Sequence, residues 1–222
     1  MFAVIFEVQP KKTRWDEYLE LAKFLKPELE KIDGFIDNER FASKRTEGRL
    51  LSLSIWRDEK SVIRWRTLGV HHEVQEKGRF EVFEDYHLRV GEITLDTGLP
   101  DGRMLVEQRF DETEIGAAKT VTITEFWPTE GDKTASVDLA GAPGLPKAGE
   151  SGVVDTELLE SIYNPGKRLL LVSWQDSGAA DRWKPDQVCG GALRHRQVRV
   201  IRDYGMADRR EAPQYYPAVR VG

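Results

Sequence analysis

The strongest constraint on this chain is that it is written twice. Trp56 and Trp65 stand nine positions apart, as do Trp174 and Trp183, and Asp85-Tyr86 follows Trp65 at the distance by which Asp203-Tyr204 follows Trp183. One ungapped shift of 118 positions (174 − 56) relates all of these pairs. Extended outward, it lays Glu7 on Glu125, Pro10 on Pro128, Gly34 on Gly152, Gly48 on Gly166 and Leu51 on Leu169. A period this long means two folded units of about 100 residues each rather than a short-period solenoid. The correspondence fails over one block, where residues 15–32 share almost nothing with residues 133–150.

Hydrophobic periodicity supplies the elements of the first copy. Phe2, Val4, Phe6 and Val8 alternate with Ala3, Ile5 and Glu7, the pattern of a strand that Pro10 ends. Trp15, Tyr18, Leu19, Ala22, Leu25, Leu29 and Ile32 recur at three and four, which predicts an amphipathic helix with Thr13 to Asp16 as a capping box. Pro27 should kink or divide it. A second strand runs from Phe35 to about Ala42, and a third from Arg49 to Trp56. Asp58 caps a short helix ending near Trp65, a second turn carries His71 to Lys77, and Gly78 stops it. A last strand starts at Phe80, slips phase at Phe83 and resumes through Tyr86, Leu88 and Val90, the sign of a bulge. Val198, Val200, Ile201 and Tyr204 repeat that slip. Each unit therefore reads β-α-β-β-α-β, a ferredoxin-like pattern of the α+β class. We place the units at residues 1–93 and 119–208, with a linker at 94–118 in which Met104 to Phe110 alternates like an extra strand. An extended tail covers 209–222.

The block that breaks the repeat is informative. In the second copy the first helix is replaced by Ala140-Gly-Ala-Pro-Gly-Leu-Pro-Lys-Ala-Gly149, whose three glycines and two prolines oppose a regular helix. A helix over a sheet also walls any pocket there. One working cavity is expected, in the first half.

The formal net charge of −5 argues against a general nucleic-acid or anionic-membrane binder. Cys189 is the only cysteine, so neither a disulfide framework nor a thiolate zinc site is available. Signal-peptide and membrane-span patterns are absent from the sequence, and a cytoplasmic protein is expected. It also lacks a glycine-rich phosphate loop, a paired-His metal motif and a Ser-nucleophile elbow.

Trp56-x8-Trp65, then His71-His72-Glu-Val-Gln-Glu-Lys-Gly78-Arg79, then Phe83-Glu-Asp85-Tyr86-His-Leu-Arg-Val90, resembles the antibiotic biosynthesis monooxygenase family of dimeric α+β barrels. The resemblance covers nearly all of residues 1–93, and residues 119–208 more weakly. It implies that two copies in one chain pack as a dimeric α+β barrel made intramolecularly, a pseudo-dimer, with a further homodimer left open. Members of that family include cofactor-independent oxygenases of phenols and quinols, haem-degrading enzymes and isomerases, so fold membership decides little about chemistry.

Trp65 falls on the family's pocket tryptophan, although Trp183 shows that the position also suits plain core packing. The haem-degrading branch has its axial His where this chain has Gln75, and its pocket Asn where this chain has Glu7. Both departures count against haem, and no cofactor is expected. His71 and His72 are the candidate catalytic bases because imidazole titrates near neutrality; the bland alternative is a solvated His pair. Gln75, one turn after His71, shares its face and could hold a substrate oxygen. Glu7 could be a base with a raised pKa or the partner of Arg89 or Arg49. Asp85 and Asp203 are expected to pin the bulge, Tyr86 and Tyr204 to sit at the barrel interface, and His87 and His195 to be surface or strand residues. The leading reading is a cofactor-independent monooxygenase with a small aromatic or polyketide-like ligand, in a cavity lined by Phe6, Glu7, Leu25, Trp65 and Gln75. A non-catalytic binding module and a haem-degrading enzyme are its rivals.

Overall fold

A computed structural model describes residues 1–102, 104–128, 145–185 and 191–214. The strands are β1 (Phe2–Pro10), β2 (Phe35–Ser43), β3 (Leu50–Trp56), β4 (Phe83–Asp96), β5 (Thr120–Pro128), β6 (Val153–Ser161), β7 (Arg168–Trp174) and β8 (Gly191–Gly205). They close into one barrel in the order β1-β3-β2-β6-β7-β5-β8-β4. Each half thus contributes a four-stranded sheet of the same order, β4-β1-β3-β2 and β8-β5-β7-β6. The sheets meet along two antiparallel seams, β2 with β6 and β4 with β8. The result is an α+β fold built on a single eight-stranded barrel.

The repeat is visible in the local geometry. Gly34 and Gly152 both take positive φ, +89° and +86°, immediately before β2 and β6. A Cβ on Gly34 would lie 2.0 Å from Ser61 Oγ, so the turn requires glycine for space as well as for handedness. Asp58 accepts from the Ser61 amide at 2.8 Å to cap α2 (Glu59–Thr67), and Asp176 accepts from the Ala179 amide at 2.7 Å to cap α4 (Ser177–Asp181). At the β2–β6 seam the symmetry is reciprocal: Ser43 Oγ donates to Glu157, and Ser161 Oγ donates to Glu39 at 2.5 Å.

Alternation divides each strand between two environments. Ala3, Ile5, Leu51, Leu53 and Ile55 face the barrel interior with Val121, Ile123, Leu169, Leu171, Val198 and Val200. Phe2, Val8, Leu50 and Trp56 face outward, toward α1 (Trp15–Glu30) and α2. Buried ions finish the interior. Glu7 is bound by Arg89 Nη2 at 2.6 Å, and its counterpart Glu125 is bound by Lys167 at 2.8 Å and by Arg196. Lys167 also holds Glu39 of the other half and lies 4.2 Å over the Trp127 ring.

Several local expectations change. Thr13 is not a cap: residues Lys12–Arg14 form a 3-10 turn and α1 starts at Trp15 without a side-chain cap. Pro27 does not divide α1, which is one helix from Trp15 to Glu30. Leu19 points away from the body, and the inward face runs instead through Tyr18, Leu21, Ala22, Leu25 and Leu29. Gly78 does not end the helical path. After α3 (Gly69–Lys77) the chain continues through a π turn, Gly78–Val82, so Phe80 and Val82 precede the strand, which starts at Phe83. The slip inside the last strand is a bulge in both copies: Glu84 falls between the pairs Pro10 with Phe83 and Gln9 with Asp85, and Ile201 falls between the pairs Val90 with Arg202 and Gly91 with Val200. Asp85 is exposed, and Asp203 accepts from His87 rather than pinning a bulge. Met104 to Phe110 forms no strand; its Gln108 and Arg109 amides bind the Glu92 carboxylate at 2.7 and 2.9 Å. Of the block that breaks the repeat, residues 133–144 lie outside the described residues, as do Cys189 and the tail from Tyr215, and residues 145–150 form no helix. Among the described residues no helix is long and apolar enough to cross a membrane.

Replacing Lys167 by Met leaves Glu39 and Glu125 without their shared cation, and urea denaturation should show a loss of about 3–5 kcal/mol. Arg49→Met, which removes the half-exposed partner of Glu7 at 3.5 Å, should cost about 1 kcal/mol or less. Equal losses would mean that the interior network does not hold the two halves together.

Candidate functional site

The helices of the first half do not pack flush on their sheet. Between α1, α2, α3 and the outer face of β4-β1-β3-β2 lies a cavity of about 760 Å³. Its floor is the helix-facing set of strand residues, including Val4, Phe6, Ser52, Leu88 and Val90. Tyr18, Leu25 and Leu29 of α1 cover it from above, Val62 and Trp65 of α2 close one side, and His71, His72 and Gln75 of α3 close another. Tyr204 of β8 and residues 209, 210 and 212–214 complete the wall, so the second half contributes to a cavity seated in the first.

Six of the seven residues singled out from sequence are therefore brought together: Phe6, Leu25, Trp65, His71, His72 and Gln75. Glu7 is not. Its side chain leaves the other face of β1 into the barrel interior, where it is 7% exposed. Burial alone would raise its pKa, but Arg89, His87 and Arg49 together bring it down to about 2, which fits an ion-pair partner and not a proton acceptor near neutrality. His87 stands between Glu7 at 3.4 Å and Asp203 at 2.6 Å. Burial works against its charge, yet the two carboxylates raise its pKa above the ordinary value. His195 is a buried strand residue that contacts Thr124 Oγ1 at 2.8 Å.

The His pair splits into two different environments. The His71 ring lies flat on Trp65, with centroids 3.9 Å apart and planes 17° from parallel. Its Nδ1 sits 2.9 Å from the Trp65 carbonyl oxygen. A carbonyl can only accept, so Nδ1 carries the proton and Nε2 holds the lone pair. Burial lowers the His71 pKa to about 4, more than the carbonyl contact raises it, so the ring is neutral through the physiological range. His72 is the more open of the two, with its Nε2 3.8 Å from the Glu76 carboxylate. A fixed neutral imidazole with one free lone pair can accept a hydrogen bond or a proton from a molecule in the cavity. The solvated-pair alternative does not describe His71.

The matching position in the second half is filled. Trp183 is 5% exposed and packs on Trp174 at 6.2 Å and edge-on to His195 at 5.8 Å, in a cluster with Phe126, Val172 and Ala180. The same tryptophan thus serves as cavity wall in one copy and as core in the other.

Sequence reasoning missed Asn38, Arg40, Tyr18 and Arg209, all of which line the cavity. Asn38 and Arg40 share the helix-facing side of β2 with Ala42, and that alternation was the available signal. Among the described residues no group of three or more His, Cys, Asp or Glu is placed to hold a metal ion.

NMR titration of the histidine ring protons should leave His71 neutral down to about pH 4, with the signal identified by its loss in His71→Gln. A midpoint near the ordinary value of about 6.5 would contradict the stacked, desolvated placement.

Comparison with known proteins bears on this geometry. The family model "Antibiotic biosynthesis monooxygenase" matches residues 1–77, the segment that carries α1, α2 and α3. A curated protein of Pyricularia oryzae, "Jasmonate monooxygenase ABM", is 44% identical over 222 residues, spanning 98% of this chain and 99% of the relative. Among solved structures, an anthrone oxidase-like protein is 14% identical with a TM-score of 0.35, covering 96% of both chains. A conserved protein from Methanosarcina mazei Go1 is 22% identical with a TM-score of 0.38, covering 40% of this chain and 88% of that one. On the full-length identity and the family match, the chain belongs to the antibiotic biosynthesis monooxygenase family.

Proposed function

We propose that this protein is a monooxygenase whose reaction takes place in the first-half cavity, on a small and mainly apolar molecule, without a bound cofactor. The observation that carries this reading is His71, an imidazole stacked on Trp65 with its Nδ1 on the Trp65 carbonyl, in the wall of the cavity. We read the chain as a fused pseudo-dimer of two ferredoxin-like units, at residues 1–93 and 119–208, in which only the first keeps a working site. The jasmonate named for the 44% identical relative makes a cyclopentanone carboxylate the first substrate to try. Quinols and naphthols are the second group, because such molecules can supply all the electrons for their own oxidation.

In that route a ring C–H of the phenol becomes a ring C–O bond as dioxygen is taken up and water leaves, giving a quinone (a naphthol C10H8O and O2 give C10H6O2 and H2O), so the substrate is the only reductant. The step begins with removal of a proton to leave an electron-rich anion. His71, which burial holds at about 4, is a weak base against a phenol near 10 in water, so full transfer ahead of the reaction with dioxygen is uphill. An anion formed beside the imidazolium offsets part of that cost, because opposite charges favour one another in a dry site. His71 therefore acts by accepting the substrate hydroxyl and taking its proton as charge passes to dioxygen. Gln75 and His72, on the same helix, would orient the oxygen.

Oxygen uptake by the full chain, in the presence of a metal chelator, tests this with jasmonate, hydroquinones and naphthols, each with and without a nicotinamide reductant. Uptake above the buffer blank with at least one substrate, reduced about 100-fold or more in His71→Ala, is the expected result. Uptake that needs the reductant would overturn the cofactor-free route. No uptake with any of them would replace the enzyme reading by a small-molecule binding module.

A further inference from the structure

The charges around the cavity are one-sided. Its lining includes Lys26, Arg40, Arg66, Arg79, Arg209 and Arg210 but a single carboxylate, Glu76, in a chain whose net charge is −5. Elsewhere in the protein buried cations are matched: Arg89 by Glu7, Lys167 by Glu39 and Glu125, Arg196 by Glu125. Arg40 breaks that rule. Its partners are two phenols, Tyr18 and Tyr163, the latter 3.4 Å from Nη1, and its Nε is buried without a hydrogen bond. Burial pushes the Tyr18 phenol up more than Arg40 pulls it down, so Tyr18 brings no negative charge. Among the described residues no carboxylate pairs with Arg40, and a part-buried guanidinium without a counter-ion is costly unless a ligand provides one.

The floor of the cavity gives the direction of such a ligand. Register places Arg40 of β2 opposite Ser52 of β3, Ser52 opposite Phe6 of β1, and Phe6 opposite Leu88 of β4. The neighbouring row runs Asn38, Ser54, Val4 and Val90. Both rows pass from polar at β2 and β3 to apolar at β1 and β4, across three strand spacings or about 14 Å. Trp65, with His71 on its face, packs in the cluster that contains Val4 and Val90.

We propose that this cavity takes an amphipathic carboxylate, with the acid group held by Arg40 and the apolar body laid over Phe6 and Leu88 beneath Trp65 and His71. The proposal rests on the reading that the cavity is the reaction site, and it names the chemical class of what is bound there. A planar guanidinium can meet both carboxylate oxygens at once, which sets the ligand's orientation as well as its affinity. The other cations that line the cavity would draw anions toward it, and Arg40 would select among those that enter.

Displacement of the uncharged dye Nile red from the full chain at pH 7.5, by decanoic acid and by decanamide below their aggregation limits, tests the anchor. The acid should displace at a concentration at least tenfold lower than the amide. Arg40→Gln should erase that preference while leaving the amide within about twofold. Arg40→Lys, which keeps the charge but not the fork, should retain only part of it, and it serves as the readout if Arg40→Gln does not fold. Equal displacement by acid and amide in the unaltered protein, an undiminished preference in Arg40→Gln or Arg40→Lys, or no displacement by either, would overturn the proposal. Acid preference without oxygen uptake would sink the enzyme reading and leave the anchor standing; uptake without acid preference would do the reverse.

Discussion

The closed barrel depends on ions that cross between its two halves. Lys167 of the second half sits 4% exposed between Glu39 of the first and Glu125 of its own. Arg89 of the first half reaches Ser173 of the second at 2.7 Å. Such groups are expensive to bury and are tolerable only as a complete set. The apolar residues make collapse favourable; the ion set admits one register at each seam, because a one-residue slip would turn every side chain to the wrong face. Glu39 with Ser161, and Glu157 with Ser43, fix the β2–β6 seam from both sides.

Duplication supplies a symmetric barrel, and the site comes from the departure from symmetry. The inner faces of β1 and β5 keep the same Glu, and the caps Asp58 and Asp176 do the same work. The outer faces diverge. In the first half a long helix and two shorter ones stand over the sheet and leave a cavity whose wall includes Trp65. In the second, Trp183 is packed into a side-chain core with Trp174, Ala179 and Ala180. The second half sends Tyr204, and the chain after it the segment around Arg209, into the wall of the first half's cavity, so both copies contribute to the site. Burial holds the Tyr204 phenol at a pKa of about 12, so it enters the cavity as a neutral hydroxyl.

Much of the site was legible in sequence because helical spacing maps directly onto one face. His71 and Gln75 are one turn apart, and both line the cavity, as does Trp65, which its distance from Trp56 had marked out. Glu7 was read both ways, and the alternation of β1 already held the answer: Glu7 shares its face with Ala3 and Ile5, the barrel side, while Phe2, Val4, Phe6 and Val8 face the helices. Arg40 was missed because a lone arginine in a mixed segment, Asp37-Asn-Glu-Arg40, looks like any solvated charge. Its absent counter-ion is a property of the surroundings and leaves no mark in its own sequence. The strand expected over Met104 to Phe110 failed for a related reason: alternation describes a strand only when an edge is free to pair, and closing the barrel uses every edge.

By itself the sequence determined the duplication, the eight repeat-derived strands, the Asp58 cap and the Gly34 turn, and which residues alternate inward, since each follows from local spacing and backbone preference. Tertiary structure alone decided that α1 roofs a cavity instead of sealing it, and that the His71 ring lies desolvated on Trp65 with its Nδ1 on the Trp65 carbonyl. It also decided that, among the described residues, Arg40 has phenols and no carboxylate beside it. Those outcomes depend on distances between residues far apart in the chain, and on the water their packing excludes. No periodicity along a single strand or helix encodes either.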